Sequence, residues 1–536
     1  MSDASNVFGR SVRDSSGGHS PEDFARFPLN DIGNAMRLIL LAGGDVDLDG
    51  YVDATDCRLL FVLGLGWFGF NGQFWDSKFG EDLARKLAHQ VAHKLPSLQA
   101  VFVAKGIPIK EVIGFERDTG SAGKTSAMLT QARSYLTVEL EAFDADIFAI
   151  NCRNGTLKVA YKDGQFTRRL CPHDPSDRIT RCAAVDYDAK AKAPEFCGVL
   201  NKALADKEER GYFHRTLGYC STGSAREQAF FLIQGPGQDS KSTLLDACRE
   251  ALGTYGVAAS PDTFLEQANA NGSGPQPDLI KLSGDTRLAI LSEPKRGAKM
   301  NEGLLKSWTS GSPISARDLN AKPINFRPRA KLIFECNSFP VAKGDDDGIW
   351  RRIKPILFRR KVKNDEVDRD LPDRMRANEL PGILNWLVDG IGDWFERGLD
   401  PPATMKALVD DYRKSSSPFG DWLTDCCVSR EEAPGCRELT GTLYASFKDW
   451  CEEQGNDRVM SAKAFGDALR DRQIIVAGKN AKGLKYRGPI RLKTHAEMAA
   501  GRDAEPSSSS AGGMSPPEMG SSASIFEPDA AEEWEP

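Results

Sequence analysis

Apolar residues keep two rhythms along this chain, and each predicts its own kind of element. Leu83, Leu87, Val91 and Leu95 recur every fourth position across Glu81–Leu95, the pattern of an amphipathic helix. Pro381–Gly398, rich in Trp and Leu, predicts a second helix that breaks before Pro401-Pro402. Short apolar runs predict strands at Phe230–Gln234 (FFLIQ), Arg287–Glu293 (RLAILSE) and Lys331–Cys336 (KLIFEC). FAINCRNGTLKVAY, Phe148–Tyr161, predicts a hairpin turning on Asn154-Gly155. From about Gly218 to Phe358 strands alternate with helices and loops, as in an α/β core. Near the end, ELTGTLYASFKDWCEEQG predicts a helix with Leu443, Phe447 and Trp450 on one face. SAKAFGDALRDRQI predicts another helix, capped by Ser461, and AGKNAKGLKYRGPIRL a basic hairpin. Residues 1–27 and 496–536 are polar, Ser/Gly/Pro-rich stretches expected to be disordered.

Composition narrows the class. A chain of 536 residues is too long for one core, and a prior of about three domains follows. No apolar run approaches the roughly 18–20 residues that span a bilayer. The first residues also lack the apolar stretch of a secretion signal, so no membrane partner and a cytoplasmic location are expected. Twelve cysteines without a C-x-x-C pair read as reduced thiols. The net charge of −6 is unevenly spread: residues 501–536 alone carry −7, which leaves +1 on the rest, and Cys436–Lys493 carries +5. A phosphate backbone senses local charge, so the acidic total does not exclude a nucleic acid.

Candidate chemistry centres on FFLIQGPGQDSKSTLL, Phe230–Leu245, where a strand enters a glycine-rich turn and a helix opens at Lys241. That is the layout of a P-loop, whose backbone amides and helix N-terminus cradle nucleotide phosphates. Gly235, Pro236, Gly237, Gln238, Asp239, Ser240, Lys241, Ser242 and Thr243 would form it. Lys241 would meet the β/γ-phosphates of ATP and Ser242 the Mg²⁺ ion. One position departs from the pattern: Ser240 stands where glycine is expected before the lysine. Glu293, closing the second strand, is the candidate for orienting the attacking water and contacting Mg²⁺ through water. Asn337, closing the third, is placed to sense the γ-phosphate. In GIWRRI, Arg351 or Arg352 is a candidate arginine finger for a neighbouring subunit's ATP.

Together, GDTRLAILSEPKRGAKMNEGLLKSWTSGSPISARDL, RPRAKLIFECNSFP and GIWRRI resemble superfamily 3 helicases, within the phage and plasmid primase–helicases of the poxvirus type. DIGNAMRL, GWFGFNGQFW, NCRNGTLKVAYKDG and HDPSDRITRCAAVDYDAKAKAPEF extend the resemblance towards the N-terminus. It implies an α/β P-loop ATPase core of AAA+-like type at 201–400, after a mixed α/β N-terminal region at 28–200. It implies a ring, usually a hexamer, that couples Mg-ATP hydrolysis to movement on single-stranded or forked DNA. A primase or polymerase would be a separate chain, and the setting a bacterial host's cytoplasm if the gene is a phage's. Lys306 and Arg317 fall in the stretch that grips DNA in the ring channel of such proteins. Ser292 departs from the family pattern by leaving Glu293 without an adjacent acidic residue.

Residues 419–493, with two helices and a basic hairpin, read as a winged-helix-like DNA-binding domain. Its phosphate-contact candidates are Lys463, Arg470, Arg472, Lys479, Lys482, Lys485 and Arg487, against the plainer reading of a solvated basic face. Two other functions stay open: a DNA-binding initiation or packaging factor with a weak or inactive ATP site, and a small-molecule kinase. Asp45, Asp47, Asp49, Gly50 and Asp56 nearly match a calcium loop. Asp45 and Asp47 have too little chain before them for a primase metal pair. His89 and His93 lack a metalloprotease glutamate and read as helix-face residues, and Cys171, His173 and Cys182 lack zinc-ligand spacing.

Overall fold

Every residue of FFLIQ but the last is buried. A strand with no polar face belongs inside a parallel sheet covered on both sides, and that is where the computed structural model puts it. The structure describes residues 19–266, 274–319, 323–342, 347–415, 418–428, 435–454, 459–494 and 497. Most of both expected tails, with Asp345 and Asp346, lies outside these residues.

The central sheet has five strands: β1 (Phe230–Gln234), β2 (Gly256–Ala259), β3 (Leu288–Ser292), β4 (Lys331–Cys336) and β5 (Ile353–Leu357). Their spatial order is β2-β3-β4-β1-β5, and every pairing is parallel. β1 therefore lies between β4 and β5, and the chain leaves it in one direction and returns on the other side. In open α/β sheets, ligands bind at such a reversal, beyond the carboxyl ends of the strands. Side-chain alternation splits the core in two. Phe231, Ile233, Ile290, Ile333 and Ile356 face helices α1 (Lys207–Cys220), α2 (Lys241–Leu252) and α3 (Leu380–Arg397). Phe230, Leu232, Leu291, Leu332 and Phe334 face Phe264, Trp308, Phe326 and Tyr412.

α1 and α3 cross at two glycines. A Cβ on Gly218 would lie 2.1 Å from the Gly390 carbonyl carbon, and one on Gly390 would lie 2.6 Å from the His214 carbonyl oxygen. Tyr412 sits in the core, so this compact unit runs to Ser417, past the boundary expected at 400.

The preceding region has its own apolar cluster, built on helices Asp31–Leu41, Ser77–Lys94 and Ala122–Leu136. The helix expected at Glu81–Leu95 starts earlier, at Ser77, because the Asp76 carboxylate accepts from the Phe79 amide at 2.6 Å. Pro21–Ala25 is helical, although composition placed it in a disordered lead-in. Ser20 and Asp23 form a reciprocal cap there, and Phe24 is buried. The expected hairpin forms between Ile150–Cys152 and Gly155–Lys162, with a third strand, Gln165–Cys171, that its polar sequence concealed.

The second compact unit begins at Pro418. Its helices Pro418–Cys426, Thr440–Glu453 and Ala462–Asp471 enclose Trp422, Leu443, Phe447 and Phe465. Ser461 caps the third helix through the Ala464 amide at 3.3 Å, as its sequence predicts. Strands Ile475–Lys479 and Lys485–Gly488 form the expected hairpin, joined at its edge by Glu438–Leu439.

Candidate functional site

Beyond β1 the chain turns through Gly235–Ser240 before α2 begins at Lys241. The turn uses left-handed backbone at two non-glycine residues, Gln238 at φ 52° and Ser240 at φ 68°. Ser240 thus adopts the conformation that a glycine would adopt without strain. Its side chain makes no capping bond, so the first-turn amides of α2 are left to the loop.

Asp239 fills the concavity of this turn. Its carboxylate accepts from the Gly237 amide at 3.2 Å and the Lys241 amide at 3.2 Å. It also takes the Lys241 ammonium at 3.1 Å. Gly235 is required for this: a Cβ there would lie 1.9 Å from Asp239 Oδ2. The Gly235 amide donates to the Cys336 carbonyl at 3.2 Å and ties the loop to β4. Pro236 and Gln238 are exposed and Thr243 is half-buried.

The ends of β1 and β4 bring further groups onto the same spot. Lys241 Nζ donates to Asn337 Oδ1 at 3.3 Å, and Gln234 Nε2 donates to the Asn337 carbonyl at 3.2 Å. The Ser242 hydroxyl donates to Glu335 Oε1, and the Ser292 hydroxyl to Glu335 Oε2 at 3.3 Å. Sequence reading passed over Glu335. The available signal was a carboxylate near the end of KLIFEC, whose other residues after Lys331 are apolar, in a strand that is buried throughout. Glu293 follows β3 with φ 53°, its amide donating to the Glu335 carbonyl at 2.8 Å. Its exposed carboxylate makes no hydrogen bond or ion pair among the described residues. A left-handed non-glycine residue at the end of a core strand is strained backbone, of the kind that collects at functional sites.

Arg351 and Arg352 part company. Arg352 is buried, donating to the Thr309 hydroxyl at 3.1 Å and to the Gly348 carbonyl, while Arg351 is exposed. Lys306, on helix Glu302–Thr309, pairs with Glu302 at 3.5 Å. Arg317 directly follows the first strand of a two-stranded hairpin, Ile314–Ala316 with Ile324–Phe326.

In the second unit, Lys463, Lys479, Lys482 and Lys485 are exposed. Arg470 is exposed and pairs with Asp467 at 2.8 Å. Arg472 lies over the Phe419 ring at 5.3 Å, and burial lowers its pKa. Arg487 is only 8% exposed, with its guanidinium turned to the Ile474 carbonyl. As a phosphate contact Arg487 is corrected: alternation along its strand turns it inwards, towards Gly466.

Asp45–Val46 and Val52–Asp53 form a short hairpin. Asp47 spends its carboxylate on the Asp49 and Tyr51 amides at 3.0 and 2.8 Å. No group of three or more His, Cys, Asp or Glu fit to hold a metal occurs among the described residues, here or around Cys171, His173 and Cys182. Nor is any described helix long and apolar enough to cross a membrane.

Residues 51–205 match the family described as D5 N terminal like. A protein of Acanthamoeba polyphaga mimivirus, provisionally named a helicase, is 26% identical over 366 residues, covering 64% of this chain and 37% of the relative. The chain is related to the poxvirus-type primase–helicases. A provisionally named helicase of Invertebrate iridescent virus 6 is 24% identical, covering 76% of this chain and 44% of the relative. A provisionally named primase of African swine fever virus is 18% identical, covering 61% and 35%. The match thus spans less than half the length of each of these relatives. Among solved structures, the C-terminal region of NrS-1 aligns at 13% identity and a TM-score of 0.32, over 61% of this chain and 82% of that one.

Proposed function

We propose that this chain is an ATP-driven DNA helicase of the superfamily 3 type, acting in replication as a ring, most simply a hexamer. The observation that carries the reading is the bond from Lys241 Nζ to Asn337 Oδ1 at the carboxyl ends of β1 and β4. It joins the loop lysine to a polar residue just past the end of the neighbouring strand, where a γ-phosphate would be sensed. The spatial order of the sheet supports the same reading, because β1 and its loop lie at the reversal where ligands bind.

In this mechanism the loop amides and the N-terminus of α2 bind the phosphates of ATP, and Lys241 neutralises their charge. Glu293 orients a water and takes its proton. The water oxygen bonds to the γ-phosphorus as the bond to the bridging β–γ oxygen breaks, and ADP departs with that oxygen. Asn337 holds the γ-phosphate in line. Arg351, exposed where Arg352 is not, reaches the ATP of a neighbouring subunit and stabilises the transition state. The hydroxyl of Ser242 beside a carboxylate is a hard oxygen donor set suited to Mg²⁺. When bound, the ion would draw charge from the phosphate oxygens. Lys306 and the Arg317 hairpin would meet single-stranded DNA. In the second unit, three helices and a basic hairpin support a winged-helix reading in which Lys463, Lys479, Lys482 and Lys485 contact phosphates.

ATP hydrolysis, with and without single-stranded DNA, tests this reading. DNA stimulates the wild type, and Lys241→Ala and Glu293→Gln each lower the stimulated rate by about 100-fold or more. No stimulation and no strand separation by the wild type would overturn it. One observation favours a second reading, a DNA-binding initiation or packaging factor: Asp239 occupies the donors that a phosphate needs. That reading prevails if wild type and Lys241→Ala hydrolyse ATP equally poorly and bind DNA equally well.

A further inference from the structure

At the end of β3, Ser292 stands where a carboxylate beside Glu293 would be expected to face Ser242. The sheet register places Ser292 directly opposite Glu335 on β4. Neighbouring residues of a parallel pair project from the same face, so a carboxylate on either strand reaches the same space. The bonds agree: Glu335 accepts from the hydroxyls of both Ser242 and Ser292.

The charge of Glu335 calls for a partner. The residue is 7% exposed, and among the described residues its carboxylate forms no ion pair. The nearby ammonium of Lys241 is instead held by Asp239 and Asn337. A buried carboxylate supported only by hydroxyl donors is costly, and a divalent cation beside Ser242 offsets that cost. We propose that Glu335 is the metal-positioning carboxylate of this site, supplied from β4 in place of the acidic residue that β3 lacks. This rests on the nucleotide-binding reading above and adds the residue that holds the ion. Glu293 is then left to work on water, a division that suits its exposed position.

The test is ADP affinity measured by calorimetry on the full chain, with Mg²⁺ and with excess chelator. Wild type binds ADP more tightly with Mg²⁺. Glu335→Gln loses about 10–100-fold of that gain, the range typical of altered metal sites, and keeps its metal-free affinity. Glu293→Gln keeps the gain. In the double variant Ser292→Asp with Glu335→Ser, the carboxylate returns to β3 and the gain is restored. Manganese paramagnetic resonance in the presence of ADP reports the same series without reference to turnover. A Glu335→Gln protein that folds and retains the full Mg²⁺ gain overturns the proposal, as does a double variant that folds and shows none. The reading beneath it fails differently: wild type then binds no ADP under either condition, or Lys241→Ala binds it as well as wild type.

Discussion

Arg351 and Arg352 differ by one position, yet one faces solvent and the other packs against Thr309 and Gly348. Removing the buried guanidinium leaves a carbonyl without its donor, so Arg352→Ala is expected to cost about 2 kcal/mol of stability. Arg351→Ala is expected to leave the urea midpoint unchanged. In the assembled protein it lowers ATP turnover by about 10³-fold, as loss of an arginine finger does. Urea melts and ATPase rates on both variants check the pair, and reversed effects would exchange their roles. Sequence alone left the two open, because adjacent residues after a short helix point in different directions and only packing tells which is inside. Ser240 is the opposite case. Its place in the loop was legible, and the structure adds that a serine holds the left-handed turn.

Between elements, the tightest constraint is the crossing of α1 and α3. Any side chain at Gly218 meets the backbone of Gly390 at 2.1 Å, and backbone cannot rotate away. Gly218→Ala is therefore expected to destabilise the protein by about 3 kcal/mol, at the upper end of overpacking costs. Gly198 is a helical glycine with nothing within 4 Å of an added Cβ, and Gly198→Ala is expected to stabilise by about 0.5–1 kcal/mol. Paired urea melts test both, and equal effects would show that the close approach does not set the helix packing. The strands β1, β3 and β4 were legible as elements because apolar runs between turns have few other places to go. Their order in the sheet was not. Glu335 escaped notice for that reason: its value comes from standing opposite Ser292 and against Ser242, 93 residues away in sequence.

Across the first unit, a buried charge cluster joins the central sheet to the region before it. Burial pushes Lys331 down to about 7, among Cys220, Asp285, Arg287 and Arg329. Burial and then Asp285 push Asp144 up to about 6, against the pull of Thr180 and Arg329. The signs are opposite. Between about pH 7 and 10 the unfolded chain holds more protons on Lys331 than the folded one, so stability rises with pH. Between about pH 4 and 6 the folded chain holds more protons on Asp144, so that group's contribution grows as pH falls. The two groups therefore contribute least between about pH 6 and 7. Urea midpoints measured against pH check this. Lys331→Met removes the rise between pH 7 and 10 relative to wild type, and Asp144→Asn removes the Asp144 contribution between pH 6 and 4. Unchanged slopes would mean that water reaches the cluster.

The sequence by itself determined the apolar strands β1, β3 and β4 and the strongly periodic helices, that a glycine-rich loop leads into Lys241, and that a smaller basic unit follows near residue 418. Those features rest on local patterns: side-chain periodicity, turn residues and caps act within a few positions. Tertiary structure decided which carboxylate meets Ser242, which arginine faces outwards, that Arg487 turns inwards and that Asp239 fills the loop. These depend on strand register, on the face an element buries and on contacts between residues far apart in the chain, which only the packed core fixes.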